Sequence, residues 1–244
     1  MKLSIQRYIK LFALVGLLVS SSLAYSQEAD DDFFAFEEEE FIENEIADPF
    51  EPINRILFAA NDKLFRVLLS PVIKTYRLIP VSIRLSISNF YTNLTAPVSA
   101  VNALLQLDVP NMASEASRFG INSTVGILGL FDPATRWGFE QDREDLGQTL
   151  GHYGIDHGFY IVLPLLSFSS LRDTTGRLGN AYLNPINHIW DPELDDWIVY
   201  QGLDGINDLS FQVDNYVSLY DSALDPYVFF RSAYLQTREA AVNR

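Results

Sequence analysis

Cysteine is absent from all 244 residues. That excludes disulfides and thiolate metal sites. Histidine is scarce: only His152, His157 and His188 occur. His152 and His157 lie five apart with Asp156 between them, not the i, i+4 pair of helical metal-binding histidines, so they read as satisfied or surface side chains. No G-x-S-x-G elbow is present, and Gly147, Gly151, Gly154 and Gly158 form neither a G-x-G-x-x-G turn nor a phosphate loop with its lysine. Enzymatic chemistry therefore has no constellation to rest on, and no cofactor is expected. Basic residues are few, 17 against 32 acidic ones, for a net charge of −15. Nucleic acid, whose backbone demands Lys and Arg, is excluded as a partner. Docking on anionic headgroups by charge alone is excluded likewise. Long hydrophobic runs are also missing. The longest at the N-terminus, Leu11 to Val19, falls well short of the ~20 residues that span a bilayer.

That short run is flanked by Lys2, Arg7 and Lys10 before it and by Ala24 and Ser26 after it. Residues 1–26 read as a secretory signal peptide, so the chain is expected to leave the cytoplasm. Removing them takes three basic and no acidic residues and shifts the net charge from −15 to −18. Residues 27–47 read as an acidic disordered linker. Between Gln27 and Glu51, twelve of 25 residues are Asp or Glu and none is Lys or Arg. Such a run repels itself and buries too little apolar surface to fold. Phe33, Phe34, Phe36 and Phe41 within it offer a second reading, a short peptide that docks on a partner.

From Asp48 the texture is helical. Ile53, Ile56, Leu57, Ala60, Leu64, Val67 and Leu68 recur at spacing 3 and 4, the pattern of a helix burying one face, with Pro71 as its end or a kink. A second helical stretch covers Arg77 to Tyr91. Pro97 suits the first turn of a third, with Val98, Val101, Leu104 and Leu105 on one side. Asn111 to Val125 reads as a fourth, and two more fill the C-terminal region around Ile206 to Tyr220 and Leu224 to Leu235. Phe139 to Ser170 reads as a Gly-hinged hairpin or loop with one short helix. Its apolar run Tyr160 to Leu166 could pass for a strand, but Pro164 argues against one. The expected fold class is all-α, a single domain over 48–244 with that Gly-rich insertion. Two segments, Val125 to Phe131 and Tyr160 to Leu166, carry more apolar side chains than a loop flanked by Gly and Pro needs. Ordinary core explains each alone; together they suit lipid or membrane contact.

Several blocks occur in a fixed order: DPFEPINR at Asp48 to Arg55, NFYTNLTAPVSAVNALLQ from Asn89, SRFGINSTVGILGLFDPA from Ser117, DLGQTLGHYGIDHGFYIVLPLLSFSSLRD from Asp145, and DPYVFFRSAYLQTRE from Asp225. In this the chain resembles the MlaA (VacJ) family of bacterial outer-membrane phospholipid-trafficking proteins, over about Asp48 to Glu239. The resemblance implies a ring-like domain of amphipathic helices in the inner leaflet of the outer membrane, crossed by a polar channel. It implies a non-enzymatic function: misplaced phospholipids leave the outer leaflet and pass to a periplasmic carrier of the MlaC type, while an outer-membrane porin trimer holds the ring. Many family members are acylated on a cysteine after the signal peptide. This chain has AYSQEAD there, so that lipid is not expected, and its place is the outer membrane or the periplasm.

Under this resemblance the expected lipid or membrane contacts are Val125, Ile127, Leu128, Leu130, Phe131, Tyr160, Ile161, Val162, Leu163, Leu165 and Leu166. Gly147, Gly151, Gly154 and Gly158 would hinge or gate the passage, or simply allow tight turns and close packing. Asn54, Arg55, Asn89, Asn93, Asn102, Arg118, Asn122, Asp132, Arg172 and Asp173 lie in the matching blocks. Most read as caps and buried hydrogen-bond networks, and the rest as lining of a polar channel. Asp48 before Pro49 and Asp132 before Pro133 fit helix caps. Two other readings remain: a soluble periplasmic scaffold or lipid-binding protein of the same fold, and a periplasmic lipid hydrolase whose catalytic side chain the sequence does not name.

Overall fold

The computed structural model describes residues 48–164, 167–189 and 194–244. The signal peptide, the acidic linker, and Leu165 and Leu166 lie outside the described residues. Helix α1 (Glu51–Leu64) runs through a π-helical turn, Phe65–Leu69, into α2 (Ser70–Tyr76). Then come α3 (Val81–Leu105), α4 (Val109–Thr124), α5 (Pro133–Arg136) and α6 (Leu146–His152). A hairpin follows, β1 (Tyr160–Leu163) and β2 (Ser167–Ser170). The chain closes with α7 (Leu171–Leu183), α8 (Ile186–Ile189), α9 (Leu194–Ser222) and α10 (Pro226–Val242). Apart from the hairpin the described fold is all-α. It divides into two compact units: one of residues 48–78, 157–171 and 194–244, the other of Ile79–Asp156 and 172–189.

The first unit has an apolar core. Phe58, Tyr160, Val162, Tyr227, Phe230 and Leu235 form one buried cluster. Its rings stack or meet edge to face, as Phe168 does on Phe230 at 5.6 Å and Phe58 on Tyr227 at 5.8 Å. Phe65, Leu69, Ile73, Leu209 and Val213 form a second cluster. Each such side chain contributes roughly 1.5–3 kcal/mol on burial.

Helix α1 is rotated from its expected orientation: Phe58 and Phe65, which widen the expected face, are buried, and Leu57 and Leu68 pack against the two clusters, but much of that face turns outward. The periodic residues Ile53, Ile56, Ala60 and Val67 are exposed, whereas Asn54, Asn61 and Asp62 are buried beside Phe58 and Phe65. The buried amides have a use. Asn54 donates from Nδ2 to the Tyr160 carbonyl at 3.1 Å and accepts from the Val162 amide at 2.9 Å. One side chain thus satisfies a carbonyl and an amide of β1, as a neighbouring strand would. Asn61, two turns on, donates to the Leu163 carbonyl at 2.9 Å.

Pro164 does not prevent the strand. It stands one residue beyond β1, in the turn, where its missing N–H costs no ladder bond. The register pairs Tyr160 with Ser170 and Leu163 with Ser167. Pro97 does not start a helix either: it lies inside the continuous 25-residue α3. In the turn before it, the Thr95 hydroxyl back-bonds to the Thr92 carbonyl at 3.0 Å. Asp48 is likewise no helix cap. The α1 N-cap is Phe50, which has no side-chain cap bond. The Asp48 carboxylate instead accepts from Asn54 Nδ2 (2.9 Å), from Arg231 Nη1 (3.2 Å) and from the Tyr227 hydroxyl. Arg55 forks onto Asp225, the N-cap of α10, at 2.9 and 3.2 Å, and lies 4.5 Å from the centre of the Tyr227 ring.

Candidate functional site

The second unit inverts the usual distribution of side chains. On α4 the buried residues are Asn111, Glu115, Arg118 and Asn122, a polar stripe at helical spacing. On α3 the buried face carries Arg84, Ser88, Asn93, Ser99 and Asn102 with only small or single apolar residues between them. Gln148 and Thr149 of α6 are buried as well. Both hydrophobic clusters found among the described residues belong to the first unit.

The interior is hydrogen-bonded into two hubs. Arg118, with a side chain 4% exposed, donates from Nη1 to Thr135 Oγ1 (2.8 Å) and the Phe139 carbonyl (2.7 Å). From Nη2 it donates to Asp132 (2.9 Å) and Gln141 (3.2 Å). Asn122 donates to Asp132 Oδ1 at 2.9 Å and accepts from the Ala134 amide at 3.1 Å. Asp132 caps α5, accepting from the Thr135 amide. Burial pushes the Asp132 carboxyl up, but hydrogen bonds from Thr135 and Asn122 and the charge of Arg118 outweigh it and hold it below its ordinary 3.8. It therefore contributes stability above that value and loses it as the pH falls further.

The second hub centres on α3 and α6. Thr149 donates to Asn102 Oδ1 at 3.1 Å, and Asn102 donates to Asn180 Oδ1 at 3.1 Å. Gln106 donates to Thr149 Oγ1 at 3.1 Å and to Glu144 Oε2 at 2.7 Å. The Glu144 amide is held by Ser99 Oγ at 2.8 Å. Desolvation, then the charges of Asp142, Asp145 and Asp108, push the Glu144 carboxyl up to about 7, and the Gln106 hydrogen bond offsets only part of this. A raised carboxyl pKa means that the folded state carries a penalty above about 7 which is relieved as the pH falls towards 4.5. Glu144→Gln is expected to raise the melting temperature in detergent at pH 8, with the gain gone at pH 4.5. An equal gain at both pH values would remove the charge from the explanation.

Outside, the unit is apolar. Val81, Ile83 and Leu85 at the start of α3, Val101, Leu104 and Leu105 near its end, and Phe119 of α4 are exposed. The loop after α4 exposes Val125, Ile127, Leu128, Leu130 and Phe131. Ile127 and Leu128 hold left-handed backbone, φ 54° and 58°, a conformation that costs about 1–3 kcal/mol each for such residues. The loop is anchored beneath by Gly129, where a Cβ would meet the Asn93 side chain at 2.5 Å. Among the described residues no helix is long and apolar enough to cross a membrane.

The hairpin residues separate into two sets. Tyr160 and Val162 are core, 0% and 1% exposed, so they are removed from the expected lipid contacts; Ile161 and Leu163 are half-buried. The glycines also divide. Gly147 is buried in α6, so close to α7 that a Cβ on Gly176 would come within 2.4 Å of its backbone nitrogen. The two glycines let α6 and α7 approach this closely. Gly151 lies within α6. Gly154, at φ 82°, ends that helix: its amide donates to the Gly151 carbonyl at 2.8 Å and the Ile155 amide to Leu150 at 3.0 Å. Gly158, φ 68°, lies against Leu171.

Of the polar candidates, Asn54 and Arg55 hold the first unit together, as described above. Asn93, Asn102, Arg118, Asn122 and Asp132 gather in the second, and Asn89 is only half-buried. Arg172 and Asp173 form a buried ion pair at 3.0 Å in the first turn of α7. Sequence reasoning missed Asn111, Glu115, Gln106, Glu144, Thr149 and Asn180. The signal for two of them was present in the 111, 115, 118, 122 spacing of polar residues.

Comparison with known proteins follows the same blocks. A family model described as MlaA lipoprotein matches residues 46–241. An uncharacterised protein of Rickettsia bellii is 37% identical over 94% of this chain and 90% of its own length. The intermembrane phospholipid transport system lipoprotein MlaA of Haemophilus influenzae is 31% identical over 80% of this chain and 79% of its own. Its namesake in Escherichia coli is 30% identical over 81% and 79%. A solved structure, reported on the structural basis for maintenance of bacterial outer membrane lipid asymmetry, superposes with a TM-score of 0.71 at 31% identity, covering 81% of this chain and all of that one.

Proposed function

The chain belongs to the MlaA lipoprotein family, and from that membership we propose that it is a non-enzymatic phospholipid transport component of the bacterial outer membrane. It removes misplaced phospholipids from the outer leaflet and passes them to a periplasmic carrier, which maintains lipid asymmetry. The observation that carries this reading is the inverted polarity of the second unit. A phosphate headgroup in hydrocarbon loses its hydrogen-bond partners, at a cost of several kcal/mol. An interior of amides, hydroxyls and paired charges supplies such partners. An exterior of Leu, Ile, Val and Phe side chains is at home among acyl chains.

The 244 residues contain no cysteine, and we assign membrane contact to the exposed apolar side chains, foremost Val125, Ile127, Leu128, Leu130 and Phe131. A porin trimer and a soluble carrier of the MlaC type complete the assembly. The carrier is needed because leaving the membrane costs ~0.8 kcal/mol per CH₂ transferred to water. Deleting the gene in its host is expected to raise the phospholipid exposed on the cell surface, measured by accessibility to an added phospholipase, with reversal by the intact gene. An unchanged surface in cells shown to have made the protein before deletion would count against retrieval.

A further inference from the structure

The outward side of α1 and α2 is an apolar stripe that the other described residues leave uncovered. Ile53, Ile56, Ala60, Lys63, Val67, Pro71 and Lys74 are all exposed, Ile56 and Val67 to 70%. Their spacing is 3 or 4 throughout, the pattern of a single helix face. At the π-helical turn, Phe65–Leu69, each turn holds an extra residue. Two successive steps of four fall there, so the stripe stays on one side. All of it belongs to the first unit.

Two cations stand in this stripe. The arginines along the same stretch are paired: Arg55 with Glu51 and Asp225, Arg66 with Asp62 and Asp221, Arg77 with Asp214. Among the described residues neither Lys63 nor Lys74 has a carboxylate partner. An apolar face with lysines in it matches an occupant that is both aromatic and acidic. The chain carries such a segment directly upstream. Residues 27–47, outside the described residues, hold ten acidic side chains, no basic one, and Phe33, Phe34, Phe36, Phe41, Ile42 and Ile46. The segment joins Asp48, five residues before Ile53. Ile53 to Lys74 measures ~32 Å along a helix, and Phe33 to Ile46 extends to as much as ~45 Å, so the segment reaches the whole stripe. A covalently joined segment meets a site within its reach at an effective concentration of order millimolar, so weak contacts suffice.

We propose that residues 33–46 dock on the outward face of α1 and α2, with the phenylalanines on Ile56, Ala60 and Val67 and the glutamates beside Lys63 and Lys74. The aromatic side chains supply the contact area. The charges select the place, since exposed ion pairs add little affinity but disfavour a wrong register. The docked segment shields this face while the protein is in water, where an uncovered apolar patch invites association with other proteins. The contact lies within the first unit and does not depend on the transport reading.

The absence of cysteine makes the test direct. Ala35→Cys and Thr75→Cys give the full chain, purified after export, two sites for nitroxide labels, and pulsed electron resonance measures the distance between them. With the segment running back along the stripe, these sites come within ~20 Å of each other, so one short, narrow distance is expected. Lys63→Glu with Lys74→Glu should lower the ratio of docked to free segment about tenfold, and Phe34→Ser with Phe41→Ser should lower it likewise. Both lysines are exposed, so their reversal leaves the melting temperature unchanged. A broad distribution that neither pair of substitutions alters overturns the contact. A short distance that survives both pairs overturns this face as its place. A short distance in detergent that is lost in phospholipid vesicles overturns the segment as the occupant and gives the stripe to lipid.

Discussion

Replacing Arg118 with methionine is expected to destabilise the second unit by about 3–5 kcal/mol, the usual cost of removing one partner from a buried ion pair. Methionine keeps most of the volume and removes the fork. Asp132, Thr135, Gln141 and the Phe139 carbonyl all lose a donor together. The loss should exceed that of Arg77→Met, whose exposed pair with Asp214 is worth ~0–1 kcal/mol. Denaturant unfolding followed by tryptophan fluorescence measures both. Equal losses would mean that the Arg118 hub is solvated in the working protein and is not a structural centre.

The second large effect is expected at the surface. Ile127 and Leu128 are 58% and 66% exposed on strained backbone. If these side chains rest in lipid, each contributes roughly 1.5–3 kcal/mol to membrane partition. The double variant Ile127→Asp, Leu128→Asp should weaken association with phospholipid vesicles by at least about a hundredfold. The left-handed backbone tolerates aspartate better than isoleucine, so folding should not suffer. Vesicle flotation reads the partition and thermal unfolding checks the fold. Unchanged flotation would move the membrane contact elsewhere.

The sequence located the helices well and their inward faces poorly. Apolar residues at spacing 3 and 4 mark a helix whichever side faces protein, because periodicity has no sign. In α9 the repeat Ile206, Leu209, Val213 is core. In α1 the repeat Ile53, Ile56, Ala60 faces outward, since Asn54 and Asn61 are drawn inward by backbone groups of β1 more than a hundred residues away. Nothing local to α1 reports that need. Proline misled twice: Pro164 stands in the turn beyond β1, where its absent N–H costs no ladder bond, and Pro97 is carried inside the continuous α3. At the site, Arg118, Asn122 and Asp132 were legible because a matching block contains all three. Glu144 and Gln106 were not, because a lone carboxylate 38 residues from its amide partner carries no spacing pattern.

Asp48, the first described residue, accepts hydrogen bonds from Tyr227 and Arg231 near the last. A ribosome delivers these groups about 180 positions apart. The first unit therefore cannot close until the final helix has been made, and its folding belongs to the slow class governed by distant contacts. Any chain cut short before Tyr227 leaves the buried Asp48 carboxylate with the Asn54 amide but without Tyr227 and the charge of Arg231. Incomplete copies should be open, and so readily proteolysed, rather than folded decoys that occupy the membrane.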